Sequence, residues 1–221
     1  MEVKKLQEWD KVGKKENFMA IKGGKGYTTA DIEALPEGER AELIDGELFR
    51  MDAPTLTHQD LLVKLLFEIE LYIRKNKGPC RVLPAPFGVY IKKDNRNYVE
   101  PDISVICDRD RLDQKGCHGA PDWVIEIVSP SSRKMDYVRK TKLYQETGVR
   151  EYWIVDPNKE MVTVYHENSG MCQYAILSPS GFSQEFIKIF ISNLQNLENS
   201  EDCCQKLTLM YFEAKLTNCL M

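Results

Sequence analysis

Trp123-Val124-Ile125-Glu126-Ile127-Val128 is apolar at every position but one. A run of this kind, bounded by polar loops, reads as a central strand covered on both faces. A carboxylate in it is costly to bury unless a metal or a cation answers it. The bland reading of Glu126 is a buried acid paired with Lys or Arg. Strands of this type seldom carry an acid without a functional reason, so Glu126 is the first candidate site residue.

On its C-terminal side, Ser129-Pro130-Ser131-Ser132 leads into a helix from about Arg133 to Thr147, which Ser131 or Ser132 can cap and Gly148 ends. Asp136, Lys140 and Tyr144 recur at four-residue spacing and share the face that would look toward Glu126. The alternative is an Asp136 to Lys140 surface pair with Tyr144 as a packing residue. On the N-terminal side, Val82 to Lys92 and Val99 to Cys107 are β-rich and pair as antiparallel neighbours about the turn Lys93 to Asn97. The second of them holds Pro101-Asp102. After Asp102 the strand continues through Ile103-Ser104-Val105-Ile106, and the loop from Asp108 to Ala120 reads as charged and exposed.

Farther out, Leu43-Ile44, Asp45-Gly46 and Leu48-Phe49 predict a two-residue hairpin, with Glu42 at the start of its first strand. Thr29 to Leu35 reads as a short capped helix. Thr57 with Asp60 resembles a capping box before an amphipathic helix that ends near Lys75. Glu151 to Val155, the turn Asp156-Pro157-Asn158-Lys159, Val162 to His166 and Cys172 to Leu177 form a meander. Phe182 to Leu197 fits strand or helix. The domain organisation is a lysine-rich arm (1–26), one folded domain (27–197) and a C-terminal extension (198–221), in which Leu207 to Phe212 could dock on the body or on another chain.

The candidate chemistry follows from the acids. Magnesium takes oxygen ligands, keeps several waters and is held by one or two carboxylates plus substrate phosphate. Asp102 and Glu126 each stand near the end of an apolar strand, where neighbouring strands can bring both to one ion, and the Ile127 carbonyl is a further candidate ligand. Lys140 supplies a compact charge to orient an attacking water or to stabilise the phosphate. Glu42 and His58 rank second: Glu42 could reach the metal although an acid opening a hairpin strand is more often solvent-facing, and His58 could contact a phosphate. For His118 and His166 the sequence suggests no catalytic role. Arg133 belongs to a basic run (Arg133, Lys134, Arg139, Lys140, Lys142) suited to a nucleic acid.

Other classes fall away. A net charge of -4 over 221 residues argues against coating nucleic acid by bulk electrostatics, so contact must be local. No apolar run has the length of a bilayer span and the N-terminus does not suit a signal peptide, so a cytoplasmic protein is expected. Seven cysteines without paired C-x-x-C spacing suggest reduced thiols rather than a disulfide frame or zinc site. Neither a phosphate-cradling glycine loop nor a G-x-S-x-G elbow is present, which disfavours a nucleotide kinase or serine hydrolase.

Taken in order, Glu42-Leu43-Ile44-Asp45-Gly46-Glu47-Leu48, His58, Pro101-Asp102-Ile103-Ser104-Val105, Glu126-Ile127-Val128-Ser129-Pro130-Ser131, Asp136 with Lys140 and Tyr144, and Gly148-Val149-Arg150-Glu151-Tyr152-Trp153 resemble the Uma family of the PD-(D/E)XK nuclease superfamily. The resemblance covers roughly Tyr27 to Phe190. It implies an α/β (α+β) restriction-endonuclease-like fold, a mixed sheet flanked by helices with the added hairpin and meander. It also implies a Mg²⁺ site, with Mn²⁺ as a substitute, built from Asp102, Glu126 and Lys140, with Glu42 associated. Val128 stands where the superfamily's E-x-K lysine is expected, and in this family the lysine has moved to the next helix, which suits Lys140.

The expected function is Mg²⁺-dependent hydrolysis of DNA phosphodiester bonds, with Arg133, His58 and Tyr144 as candidate substrate contacts and RNA as an alternative substrate. The rival is a non-catalytic member of the fold that binds nucleic acid or a protein. No membrane partner is expected. A homodimer would ease cutting of both strands of a duplex.

Overall fold

The computed structural model describes residues 26–166 and the strand Gly170–Ala175. The N-terminal arm up to residue 25, the stretch 182–197 and the extension 198–221 lie outside the described residues. Helix α1 (Thr29–Glu33) opens on Thr28, whose N–H donates to the Asp31 carboxylate at 2.8 Å. Strands β1 (Ala41–Ile44) and β2 (Glu47–Arg50) form the predicted hairpin, with Ile44 opposite Glu47. Its tip needs two left-handed residues, and Asp45 and Gly46 supply them at φ 52° and 81°.

Helix α2 (Leu56–Lys75) starts two residues earlier than expected. Thr55 is the cap, its hydroxyl accepting the His58 N–H at 3.3 Å, so the predicted Thr57/Asp60 box does not form. Leu61, Leu62, Leu65 and Ile69 make its buried face. Strands β3 (Arg81–Pro84) and β5 (Ile103–Ile106) pair antiparallel as predicted, and the pairing continues toward the Lys93 to Asn97 turn through Val89 and Val99. Between them β4 (Val89–Tyr90) also runs parallel to β6 (Cys117–His118). Most of the loop 108–120 is exposed as expected, but its end is not: Cys117 is fully buried and takes part in a core cluster, because the chain folds back onto β4.

Strand β7 (Trp123–Ile127) is buried along its whole length, as the apolar run predicted. The chain then winds through a π-helical segment, Met135–Lys140, directly into α3 (Thr141–Thr147), and Gly148 caps it at φ 78°. The expected cap moves too. Ser129 and Ser132 exchange backbone N–H to hydroxyl bonds at 3.0 and 3.1 Å, so Ser129 opens the corner. Strands β8 (Glu151–Asp156), β9 (Met161–His166) and β10 (Gly170–Ala175) close the predicted meander.

The main sheet has the order β10-β9-β8-β7-β5-β3, parallel only between β7 and β8. Successive side chains on a strand point to opposite faces. Trp123, Ile125 and Ile127 pack with the buried face of α2, while Val124 joins Leu143 and Tyr144 on the other side. Glu126 shares parity with Val124, so it points at the Met135–Thr147 helix. This mixed sheet between helices is the restriction-endonuclease-like architecture.

One cysteine expectation is overturned. The β3/β5 register sets Arg81 opposite Ile106, which brings the flanking Cys80 and Cys107 together, and they are joined by a disulfide. Cys117 is a free thiol, and burial raises its pKa to about 11. Among the described residues no helix is long and apolar enough to cross a membrane.

Candidate active site

The β5/β7 register places Ile103 opposite Ile125, so Asp102, one residue before, falls opposite Glu126. Residues opposed in this way lie on one face of a sheet. The Ile127 N–H donates to Asp102 Oδ2 at 2.7 Å and fixes that carboxylate beside the end of β7. His58, in the first turn of α2, reaches the same oxygen through Nε2 at 3.1 Å, while its Nδ1 is buried without a hydrogen-bond partner. The His58 pKa is raised: burial lowers it, but the bond to Asp102 and the charges of Asp102 and Asp136 outweigh burial.

Glu126 Oε1 accepts from Lys140 Nζ and from the Tyr144 hydroxyl, both at 2.8 Å. The inward-facing helix predicted from the four-residue spacing is therefore present, and the surface-pair reading of Asp136 and Lys140 is not. Asp136 and Lys140 are both buried, 3.8 Å apart. Lys140 Nζ also lies 2.9 Å from Glu42 Oε1, which takes the Glu100 N–H at 3.0 Å. Glu42 is 1% exposed rather than solvent-facing, because β1 is stitched to the Val99 strand by reciprocal Leu43 and Tyr98 backbone bonds.

Three carboxylates thus surround one ammonium. Burial drives the Glu126 pKa well above the usual carboxylate range; Lys140 opposes this and the neighbouring acids Asp102, Asp136 and Glu42 add to it. Burial pushes Asp136 up to about 7, against Lys140 and a hydrogen bond from Ser132. For Lys140 burial alone would favour the neutral amine, but Glu126, Glu42 and Asp136 together raise its pKa and keep it charged.

These groups open onto a cleft of about 590 Å³ whose wall includes Asp102, Glu126, Ile127, Lys140, Glu42 and His58. Tyr144 and Arg133 stand off it. Tyr144 is fully buried behind Glu126, its ring edge-on to Tyr152. Arg133 reaches Asp156 instead, at 2.8 Å. Two more residues of the basic run are also paired, Arg139 with Glu47 at 2.7 Å and Lys142 with Glu146 at 3.7 Å. Arg40 was not singled out from sequence, yet it lines the cleft, its Nε 2.7 Å from Glu100 Oε2. The available signal is alternation: Arg40 and Glu42 are two apart on one strand face, as are Glu100 and Asp102. His118 also has partners, Asp113 at 2.9 Å and a stacked Tyr90 ring, outside this cleft.

The donor set suits a hard cation. The cleft is lined by carboxylates and by Ile127, with no cysteine, and Glu42 Oε2 is buried without a hydrogen-bond partner. Among the described residues no three Asp, Glu, His or Cys side chains form a cage on their own. Two carboxylates completed by water and phosphate are the usual requirement of Mg²⁺.

Comparison with known proteins shows the family and the fold. Residues 29–193 match the model of the Uma2 family, described as "Putative restriction endonuclease". An uncharacterized protein of Synechocystis sp. is 30% identical over 134 residues, which are 59% of this chain and 67% of that protein. A crystal structure described as a "putative nuclease belonging to DUF820" from Anabaena variabilis superposes with a TM-score of 0.58 at 21% identity, over 74% of this chain and 98% of the other. At that identity the likeness speaks to the fold. With the family model spanning the hairpin, both acidic strands, the lysine helix and the meander, the chain belongs to the Uma2 family of restriction-endonuclease-like proteins.

Proposed function

We propose that this chain is a Mg²⁺-dependent endonuclease that hydrolyses phosphodiester bonds in DNA. The observation that carries the reading is the buried Lys140–Glu126 contact at 2.8 Å at the edge of a cleft that Asp102 also lines. Hydrolysis needs charge neutralised on the phosphate, an oriented water and a stabilised leaving oxygen. Asp102, Glu126 and the Ile127 carbonyl would hold Mg²⁺, or Mn²⁺ in its place. The bound ion supplies Lewis-acid neutralisation of the phosphate.

The chain's own groups do the rest. Tyr144 holds Glu126 from behind, so the carboxylate meets the cleft in one orientation. Lys140 places its ammonium between Glu126 and Glu42, where it orients the attacking water and offsets negative charge as the phosphate enters. His58 positions Asp102 through Nε2, and its raised pKa favours a positive charge on the cleft wall. Arg40, on the same wall and 35% exposed, is the second cationic contact available to the strand. The paired state of Arg133, Arg139 and Lys142 weakens the rival reading of a binding module that works through that helix alone.

The test is plasmid and oligonucleotide cleavage with Mg²⁺ or Mn²⁺, comparing wild type with Glu126→Ala and Asp102→Ala, alongside calorimetric titration of the ion. Loss of cleavage by about 10²-fold or more in both variants, with loss of ion binding in Asp102→Ala, supports the enzyme. Equal cleavage by wild type and Glu126→Ala overturns it. DNA affinity that persists in a metal-dead variant, without cleavage in any, supports the binding module; cleavage of RNA alone reassigns the substrate.

A further inference from the structure

Helix α2 is apolar on two opposite sides. Leu61, Leu62, Leu65 and Ile69 face the sheet, while Leu56, Val63, Phe67 and Leu71 are exposed at 78, 60, 62 and 48%. Apart from Val138 these are all the large exposed hydrophobics among the described residues. Val63, Phe67 and Leu71 recur at four-residue intervals and Leu56 lies two turns before Val63, so at roughly 100° per residue all four fall within one arc of about 80°. Scattered exposed side chains need no explanation, but a continuous stripe along one helix marks an interface. A helix apolar on both sides is ordinarily buried on both.

The stripe is self-complementary. Phe67 is its centre: Val63 and Leu71 lie four residues to either side, and Asp60 and Arg74 lie seven to either side, close to the same line. Asp60 has no ionic partner among the described residues, and Arg74 is held only by an exposed pair with Glu70, its side chain 77% exposed. A second α2 laid antiparallel about a two-fold axis at Phe67 sets apolar residues on apolar residues and each Asp60 against the other copy's Arg74. An isologous contact requires this kind of symmetry from a single surface. The antiparallel order also opposes the two helix dipoles.

We propose that the exposed face of α2 is the interface of a homodimer, two copies of this chain pairing antiparallel through Phe67. The contact lies on the side of α2 away from the sheet and needs nothing from the cleft, so it stands or falls separately from the proposed activity.

Sedimentation velocity of the full chain over a wide concentration series tests it. Wild type is expected at twice the 25.5 kDa of one chain. Phe67→Glu is expected at the single-chain mass with an unchanged circular dichroism spectrum, since the side chain is already exposed, while Val138→Glu leaves the dimer intact. Asp60→Arg and Arg74→Asp should each weaken association tenfold or more, and the two together should restore it. A wild-type chain that stays at single mass throughout overturns the proposal and leaves the stripe to another occupant, such as the segment Leu207 to Phe212. A dimer that survives Phe67→Glu, or charge reversals that fail to rescue each other, overturns it as well.

Discussion

Replacing Lys140 with methionine removes the single cation from a buried ring of acids, and the cost should depend steeply on pH. The ammonium stands 2.8 Å from Glu126, 2.9 Å from Glu42 and 3.8 Å from Asp136, with 5% of its side chain exposed. Breaking a buried pair by removing one partner costs about 3–5 kcal/mol. The protein can escape part of that penalty if one more carboxyl takes up a proton. Relative to an unfolded pKa of about 4.3, holding a glutamic acid protonated costs about 5 kcal/mol at pH 8 and about 1 kcal/mol at pH 5, at about 1.36 kcal/mol per unit. Lys140→Met should therefore be destabilised by about 5 kcal/mol at pH 8 and by only about 1 kcal/mol at pH 5. Urea unfolding followed by circular dichroism at the two pH values reads the difference directly. A loss below about 1 kcal/mol at pH 8, or one that does not change with pH, would refute the idea that Lys140 neutralises these acids.

Asp136 gives a related signature in the wild type. Its pKa rises from 3.8 unfolded to about 7 folded through burial, so its contribution to stability is complete below about pH 4 and is lost as pH rises toward 7. Asp136→Asn should flatten that slope in a series of urea melts taken between those limits. Tyr144→Phe deletes one hydrogen bond to Glu126 and should cost about 1 kcal/mol in stability; if the proposed chemistry holds, it also slows cleavage without altering the affinity for DNA, read by single-turnover kinetics. Gly148→Ala forces a side chain into a left-handed position at φ 78° and should cost about 1 kcal/mol by thermal or urea unfolding, with cleavage unaffected.

Local features were the legible ones. The apolar frame around Glu126, the Asp45-Gly46 turn and the Gly148 stop are each written in adjacent residues, and each is found where the sequence places it. The four-residue spacing of Asp136, Lys140 and Tyr144 was equally plain, though only the buried acid opposite told an inward face from an outward one. What was missed depends on register between distant strands. The burial of Glu42 follows from the pairing of Leu43 with Tyr98, the Cys80–Cys107 bridge from that of Arg81 with Ile106, and the burial of Cys117 from its return to Val89. The ion pairs of Arg133 and Arg139 were hidden for the same reason: their counter-charges, Asp156 and Glu47, come from other strands.

The π-helical segment Met135–Lys140 carries a further consequence. Within its widened turn the Asp136 carbonyl accepts from the Tyr152 hydroxyl at 2.9 Å and from the Thr141 hydroxyl at 3.0 Å. Such a turn holds one residue more than an α-turn, and the helix is pinned at one end by the Ser129–Ser132 corner and at the other by Gly148. The placement of Lys140 is thus a matter of chain length between two fixed points as well as of residue identity. Loss of a single residue between Asp136 and Lys140 would let the segment rewind as ordinary α-helix with both ends keeping their faces, so the acid and the lysine would stand three residues apart instead of four and still share a side. The same loss from the regular turns on either side has no widened turn to absorb it and would rotate everything beyond by about 100°, so the tolerance of this helix to length changes is confined to the turn that carries the lysine.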